Sequence, residues 1–255
     1  GFVPAPGQIA AAARAQGVAR VHGAASLLIN TPNNPTGAVY GRAALEGIAR
    51  ACREAGLWLI SDEVYETQVW RGTHLSPRAL PGMAERTLVI GSMSKSHAMT
   101  GSRLGWVVGP EAAIAAMADL ATHTTYGVPG YIQAAALWAL TEGGAALEAR
   151  IAAPFRRRRA LVAAALEGAP GPRVLPMDGA MYAFLDIGAT GLSGTAFAEA
   201  LLEEEGIAVM PGESFGAAAA GHVRVALTAA DGVLDEALGR LARFAAARTA
   251  GAGVA

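Results

Sequence analysis

The 255-residue sequence holds a single cysteine, Cys52, so no internal disulfide can form. The residues around it read as helix, and a half-buried or buried thiol is expected there rather than a nucleophile. No run of about 18 apolar residues exists to span a bilayer as a helix. The opening residues also lack the charged-then-apolar layout of a signal peptide. Neither sign of charge dominates, with 20 Lys and Arg against 21 Asp and Glu. That balance leaves no electrostatic footprint for nucleic acid or an anionic membrane, and neither is expected as a partner. Charged residues are scarce at 16%, while 53% are hydrophobic, which excludes a disordered chain and allows a sizeable core. The cytoplasm fits these features best. The chain also lacks an initiating methionine, opening on Gly-Phe-Val-Pro-Ala-Pro-Gly and running into a helix, which reads as a cut end.

What is present alternates. Residues 25–30, 57–61, 87–91 and 104–109 read as short buried strands, with a helix over 42–55. Strands alternating with helices imply a largely parallel sheet, an α/β arrangement. Residues 111–144 read as helical with a break at 127–130, and a long helix follows over 147–166. Beyond Gly168 the pattern changes to short strands at 181–187, 207–210 and 222–227, separated by helices at 193–205 and 232–247. This is an α+β unit, so a domain boundary is placed near residue 150, giving a large domain 1–150 and a small one 151–255. No internal repeat is evident, and the Ala-rich tail after Ala245 is expected to fray.

Three motifs lie just beyond strands, where α/β sheets place ligands. Ser92-Met93-Ser94-Lys95 follows the third strand, with Arg103 eight residues after the lysine. Taken alone it reads equally as a solvated loop, but the guanidinium fork suits a phosphate, and hydroxyls fill the remaining oxygens. Asn33-Asn34-Pro35-Thr36-Gly37 follows the first strand and is in itself only a turn former. Ser61-Asp62-Glu63-Val64-Tyr65 follows the second, where an aspartate capping a helix is the plain alternative.

In this order and at these intervals the motifs resemble the class I/II aminotransferases of fold-type I, which depend on pyridoxal 5'-phosphate. Gly179 to Phe184, Pro211 to Gly216 and Gly221 to Arg224 extend the resemblance across nearly the whole chain. Within the family, residues 94–101 and 104–110 are most similar to the arginine:pyruvate transaminase group. The resemblance implies an incomplete fold-type I large domain, mostly parallel with flanking helices, plus a small C-terminal domain. It implies amino transfer from an amino acid to a 2-oxo acid through a lysine aldimine, by a homodimer in the full-length form. Lys95 would bind the cofactor's aldehyde and shuttle the proton. Asp62 would face the pyridine nitrogen, Tyr65 and Asn34 the phenolic oxygen, and Val64 the underside of the ring. Ser92, Ser94 and Arg103 would hold the phosphate, and Arg224, with Asn34, the substrate carboxylate. No metal is expected.

Ser102 stands where the family often has an aromatic, which loosens packing without removing a catalytic group. The family's N-terminal third, with its Gly-rich phosphate loop and ring-stacking aromatic, has no counterpart here. Two rivals share the motifs: other pyridoxal-phosphate chemistry such as a carbon-sulfur lyase, and a non-catalytic aminotransferase-like sensor domain. Arg156 to Arg159 read as a solvated helix face. His97 is expected behind the site or at a subunit contact, and Tyr126, Tyr131 and Trp138 in a core or interface. His123 and Tyr126 are the further candidates to reach a substrate.

Overall fold

The computed structural model describes residues 2–15 and 26–251, which divide into two compact units. The first runs to Pro32 and resumes over Ala38–Ile151, whereas the second takes Asn33–Gly37 and resumes at Ala152.

In the first unit, β1 (Ser26–Asn30), β2 (Trp58–Asp62), β3 (Thr87–Ser92) and β4 (Gly105–Val108) form one sheet in that order. The first three run parallel and β4 returns antiparallel to β3. The reason lies in the connection, which holds only the one-turn α3 (Met93–Ser96) and a 3-10 turn, nothing long enough for a parallel crossover. Ala25, the first residue of the expected strand, lies outside the described residues.

A ten-residue helix, α1 (Pro6–Ala15), precedes this sheet. The helix α2 (Arg42–Ala55) joins β1 to β2 and shows why the periodicity was legible. Leu45, Ile48, Ala49 and Cys52 recur at helical spacing and are all buried, packed with Ile29, Leu57, Leu59 and Met83. Each such Leu or Ile contributes roughly 1.5–3 kcal/mol of burial. Gly56 ends the helix at φ +63°, a left-handed conformation that glycine adopts without strain, and the Leu57 amide donates to Cys52 O at 2.8 Å. Burial pushes the Cys52 thiol up to about 11, so it is inert at neutral pH.

The helices α4 (Glu111–Thr124) and α5 (Gly130–Trp138) are separated as expected, and a π-helical turn over Ala139–Gly143 leads into α6 (Gly144–Leu166). Their packing differs from expectation. α4 buries no residue and α5 only Ala136. Tyr126, Tyr131 and Trp138 are 88%, 77% and 58% exposed, so none belongs to a core of this chain. Of the two places expected for them, a core or an interface, the core is excluded among the described residues.

The second unit contains α7 (Gly194–Glu205), α8 (Asp231–Gly251) and a four-stranded antiparallel sheet. Its strands β5 (Arg173–Val174), β6 (Tyr182–Asp186), β7 (Met210–Pro211) and β8 (His222–Ala226) lie in the order β5-β6-β8-β7. Alternation decides its two faces. Ala183 and Leu185 pair with Val225 and Val223 and pack in one cluster with Phe197, Leu201, Leu238 and Phe244. Residues 182, 184 and 224 therefore fall on the opposite face.

Two expectations are corrected here. Helix α8 continues past Ala245 to Gly251, because Arg248 donates to Phe244 O at 3.2 Å and pairs with Glu204 of α7. The arginine run is only partly a solvated face. The Arg158 side chain is mostly buried, with its Nε 2.7 Å from Asp231 and its Nη1 3.0 Å from Leu227 O. Arg157 joins the same carboxylate at the start of α8. Among the described residues, no helix is long and apolar enough to cross a membrane.

Candidate active site

Because β1, β2 and β3 run parallel, their carboxyl ends share an edge, closed by Asn30, Asp62 and Ser92. The loops leaving that edge are stitched together at once. Asn30 Nδ2 and the Thr31 amide both donate to Asp62 O, at 3.1 and 3.0 Å, and the Glu63 amide donates to Ile90 O at 2.9 Å.

On the loop after β2, Asp62 Oδ1 accepts the Val64 amide at 3.2 Å. Burial pushes the Asp62 carboxyl above the usual carboxylate range, against the bond from Val64, with Glu63 adding to the rise. Tyr65 is buried and Val64 half-buried. Glu63 serves the fold, since its buried carboxylate lies 2.7 Å from His74 Nε2 and accepts Ser76 Oγ at 2.8 Å. Glu63, Glu66 and His74 offer ligand atoms within 4.8 Å of one another. Each carboxylate oxygen of Glu63 already has a protein partner.

The turn after β3 carries Lys95. A one-turn helix cannot satisfy its own carbonyls, so the surroundings must. Ser96 Oγ donates to Ser92 O at 3.1 Å, Thr100 Oγ1 to Ser94 O at 3.1 Å and Gln68 Nε2 to Lys95 O at 3.0 Å. Met93 O takes the amides of His97 and Met99. Ser92 caps the turn, its Oγ accepting the Ser94 amide at 3.1 Å and lying 3.4 Å from Leu104 O. The Ser92 hydroxyl is thus engaged locally, whereas Ser94 offers its hydroxyl. No hydrogen bond or ion pair engages the Lys95 ammonium among the described residues.

His97, two residues on, is buried behind this turn. Its Nδ1 lies 2.8 Å from Ser96 Oγ and its Nε2 3.8 Å from Glu148. Since the Ser96 proton goes to Ser92 O, Nδ1 is the donor of that pair. Arg103 sits at φ +52°, an uncommon left-handed position for a side-chain-bearing residue, and donates to Thr100 O at 2.9 Å. Close approach of β3 and β4 beneath it requires glycine. A Cβ at Gly105 would meet Gly91 O at 2.6 Å, and one at Gly91 would run into the Trp106 indole.

In the second unit, Asn33 shapes the loop that presents Asn34. Its Oδ1 accepts both the amide and the hydroxyl of Thr36, at 3.2 and 2.6 Å. Gly37, at φ +70°, accepts the Gly179 amide at 2.8 Å. Arg224 Nη1 donates to Asn34 Oδ1 at 2.9 Å, and its guanidinium lies 4.5 Å from the Tyr182 ring and 5.1 Å from the Phe215 ring. Its Nε is buried without a hydrogen-bond partner. The predicted residues thus fall in two groups. Asp62, Val64, Tyr65, Ser92, Ser94, Lys95 and Arg103 share the first unit, Asn34 and Arg224 the second.

Gln68, Ser96, Thr100 and Glu148 escape motif reading. A composition signal sharper than the motifs exists for the lysine itself: of the 20 Lys and Arg, 19 are arginine and Lys95 is the sole lysine.

The chain is 48% identical over 221 residues to the arginine–pyruvate transaminase AruH of Pseudomonas aeruginosa, covering 87% of this chain and 56% of that protein. It is 39% identical over 248 residues to the aspartate/prephenate aminotransferase of Thermus thermophilus, covering 95% and 60% respectively. The solved aspartate aminotransferase of Thermus thermophilus with maleate superposes at a TM-score of 0.85 and 37% identity, over 95% of this chain and 61% of that one. The chain therefore spans between half and two thirds of the length of these relatives. The family model for aminotransferase class I and II matches residues 9–241, and the chain belongs to that family, with its fold-type I architecture.

Proposed function

We propose that this chain carries the lysine edge and the carboxylate-binding arginine of a pyridoxal-phosphate-dependent transaminase, moving an amino group from an amino acid to a 2-oxo acid. The observation behind this reading is the sole lysine, its ammonium unengaged among the described residues, on a turn beside a half-buried aspartate whose carboxyl is held up by desolvation.

That environment fits the cofactor. A half-buried carboxylate of raised pKa lacks a cation, and a protonated pyridine nitrogen supplies one. Ser94 and Arg103 would hold the phosphate, with Ser92 shaping their turn. Tyr65 and Asn34 would donate to the phenolic oxygen, and Val64 would pack against the ring. The bound cofactor supplies an electron sink for the substrate Cα. Lys95 then holds and returns the proton at its Nζ. Arg224, its fork oriented by Asn34 and flanked by two aromatic rings, would take the α-carboxylate and so fix which Cα bond faces the ring. The similarity to an arginine–pyruvate transaminase makes arginine and pyruvate the first pair to test. A cytoplasmic homodimer is proposed.

Adding pyridoxal phosphate to the purified chain, reducing with borohydride and mapping peptides should place one cofactor mass on Lys95. With no other lysine present, an adduct absent from that peptide would sink the reading.

Asp62→Asn tests the ring nitrogen's partner through pH. Only the ionised aspartate favours a protonated ring, so cofactor affinity should fall as pH drops through the raised Asp62 pKa, starting above the ordinary carboxylate range. The asparagine variant should bind weakly and without that inflection in a fluorescence titration. Its melting temperature at pH 7 should not fall, because ionising a desolvated Asp62 is a stability cost present above its pKa and absent below.

A further inference from the structure

Gln68 is buried to 1% exposure and joins the two loops of the lysine edge. Its backbone amide donates to Tyr65 O at 2.8 Å, and its side-chain Nε2 donates to Lys95 O at 3.0 Å. One residue therefore registers the loop that carries Asp62 and Tyr65 against the turn that carries Lys95. The amide is only half satisfied at this place. Oε1 is buried with no hydrogen-bond partner, a penalty that methionine, of similar length and volume, would avoid. What the amide adds is a donor to the carbonyl of the lysine. That carbonyl belongs to a turn too short to be held by its own hydrogen bonds.

We propose that Gln68 is a positioning residue for Lys95, setting the direction in which the lysine amine leaves its turn and so the rate at which it captures an aldehyde. The step is a condensation: Nζ bonds to the aldehyde carbon, and the aldehyde oxygen leaves as water with the two amine protons. Gln68 touches neither reacting atom. It acts through the Lys95 backbone, where a displacement of even 1 Å can change a rate by orders of magnitude. The inference rests on the reading of Lys95 as the cofactor lysine.

The 255-residue chain, with Gln68→Met, Gln68→Glu and Lys95→Ala, permits a test at a single lysine amine. Two rates are read at the Lys95 peptide by mass spectrometry: borohydride-fixed capture of pyridoxal phosphate, and trinitrophenylation of the cofactor-free protein, which is insensitive to direction of approach. Gln68→Met should melt within a few degrees of the parent and capture pyridoxal phosphate about tenfold more slowly. Its trinitrophenylation should change less than about twofold, since reagent access is unaltered. Gln68→Glu should be slow at high pH and approach the parent at low pH, where a protonated carboxyl regains a donor. This variant decides the matter if the methionine variant does not fold. Unchanged capture in the methionine variant, or both rates shifting together with the melting temperature, would overturn the inference in favour of a purely structural Gln68. If the parent chain fixes no cofactor on Lys95 at all, the lysine assignment itself fails first.

Discussion

Lys95→Ala is expected to abolish the borohydride-fixed adduct at position 95 and to lower the proposed transaminase turnover at least about 10²–10⁴-fold, the range for removing a positioned base. The loss is total for capture on a lysine because the chain holds no second one to substitute. Folding should be spared. The ammonium makes no hydrogen bond among the described residues, and the turn is held by Gln68, Ser96 and Thr100 acting on backbone carbonyls. The unfolding free energy should therefore move by less than about 0.5 kcal/mol, checked by denaturant titration. Lys95→Arg, which keeps charge without a nucleophile, should be equally inactive. Retained turnover in either variant would refute the assignment.

Arg224→Ala should weaken the proposed amino-acid binding by about 30- to 1,000-fold, equivalent to about 2–4 kcal/mol for truncating one side of a buried charged pair. Cofactor capture at Lys95 should persist, since the arginine belongs to the second unit and the lysine to the first. Arg224→Lys should recover little of the loss. An ammonium keeps the charge but lacks the planar fork that stacks beside Tyr182 and Phe215 while bonding Asn34. Titrating maleate into the cofactor-loaded parent and variants, followed by absorbance, separates these outcomes. Equal affinity in parent and alanine variant would remove Arg224 from substrate binding.

Short-range patterns carried much of this architecture. Leu45, Ile48 and Cys52 announce α2 by spacing, Val223 and Val225 announce β8 and place Arg224 on its other face, and Gly56 marks a helix end. The three strand-end motifs gave the order of the edge because a parallel sheet brings carboxyl ends together whatever the connecting helices contain. Other features depend on partners distant in sequence. Nothing local in Gln68 reveals a bond to residue 95, and nothing around His97 reveals Glu148. Tyr126, Tyr131 and Trp138 are not core residues because hydrophobicity reports what a side chain would prefer, and burial depends on whether another surface arrives to cover it. The reversal of β4 is a matter of linker length, legible only once α3 is known to be a single turn.

The assignment of Asn33–Gly37 to the second unit has a consequence for how the protein comes into being. Asn34 and Arg224 are 190 positions apart along the chain, so their bond closes a very long loop. During synthesis the lysine turn can assemble while the ribosome is still making α6, but Asn34 must wait for nearly all of the remaining polypeptide before its partner exists. A fragment starting at Ala152 would possess the arginine and never the asparagine that orients it. The carboxylate clamp proposed for Arg224 would thus be among the last features this chain completes as it folds, and among the first that a premature stop would remove.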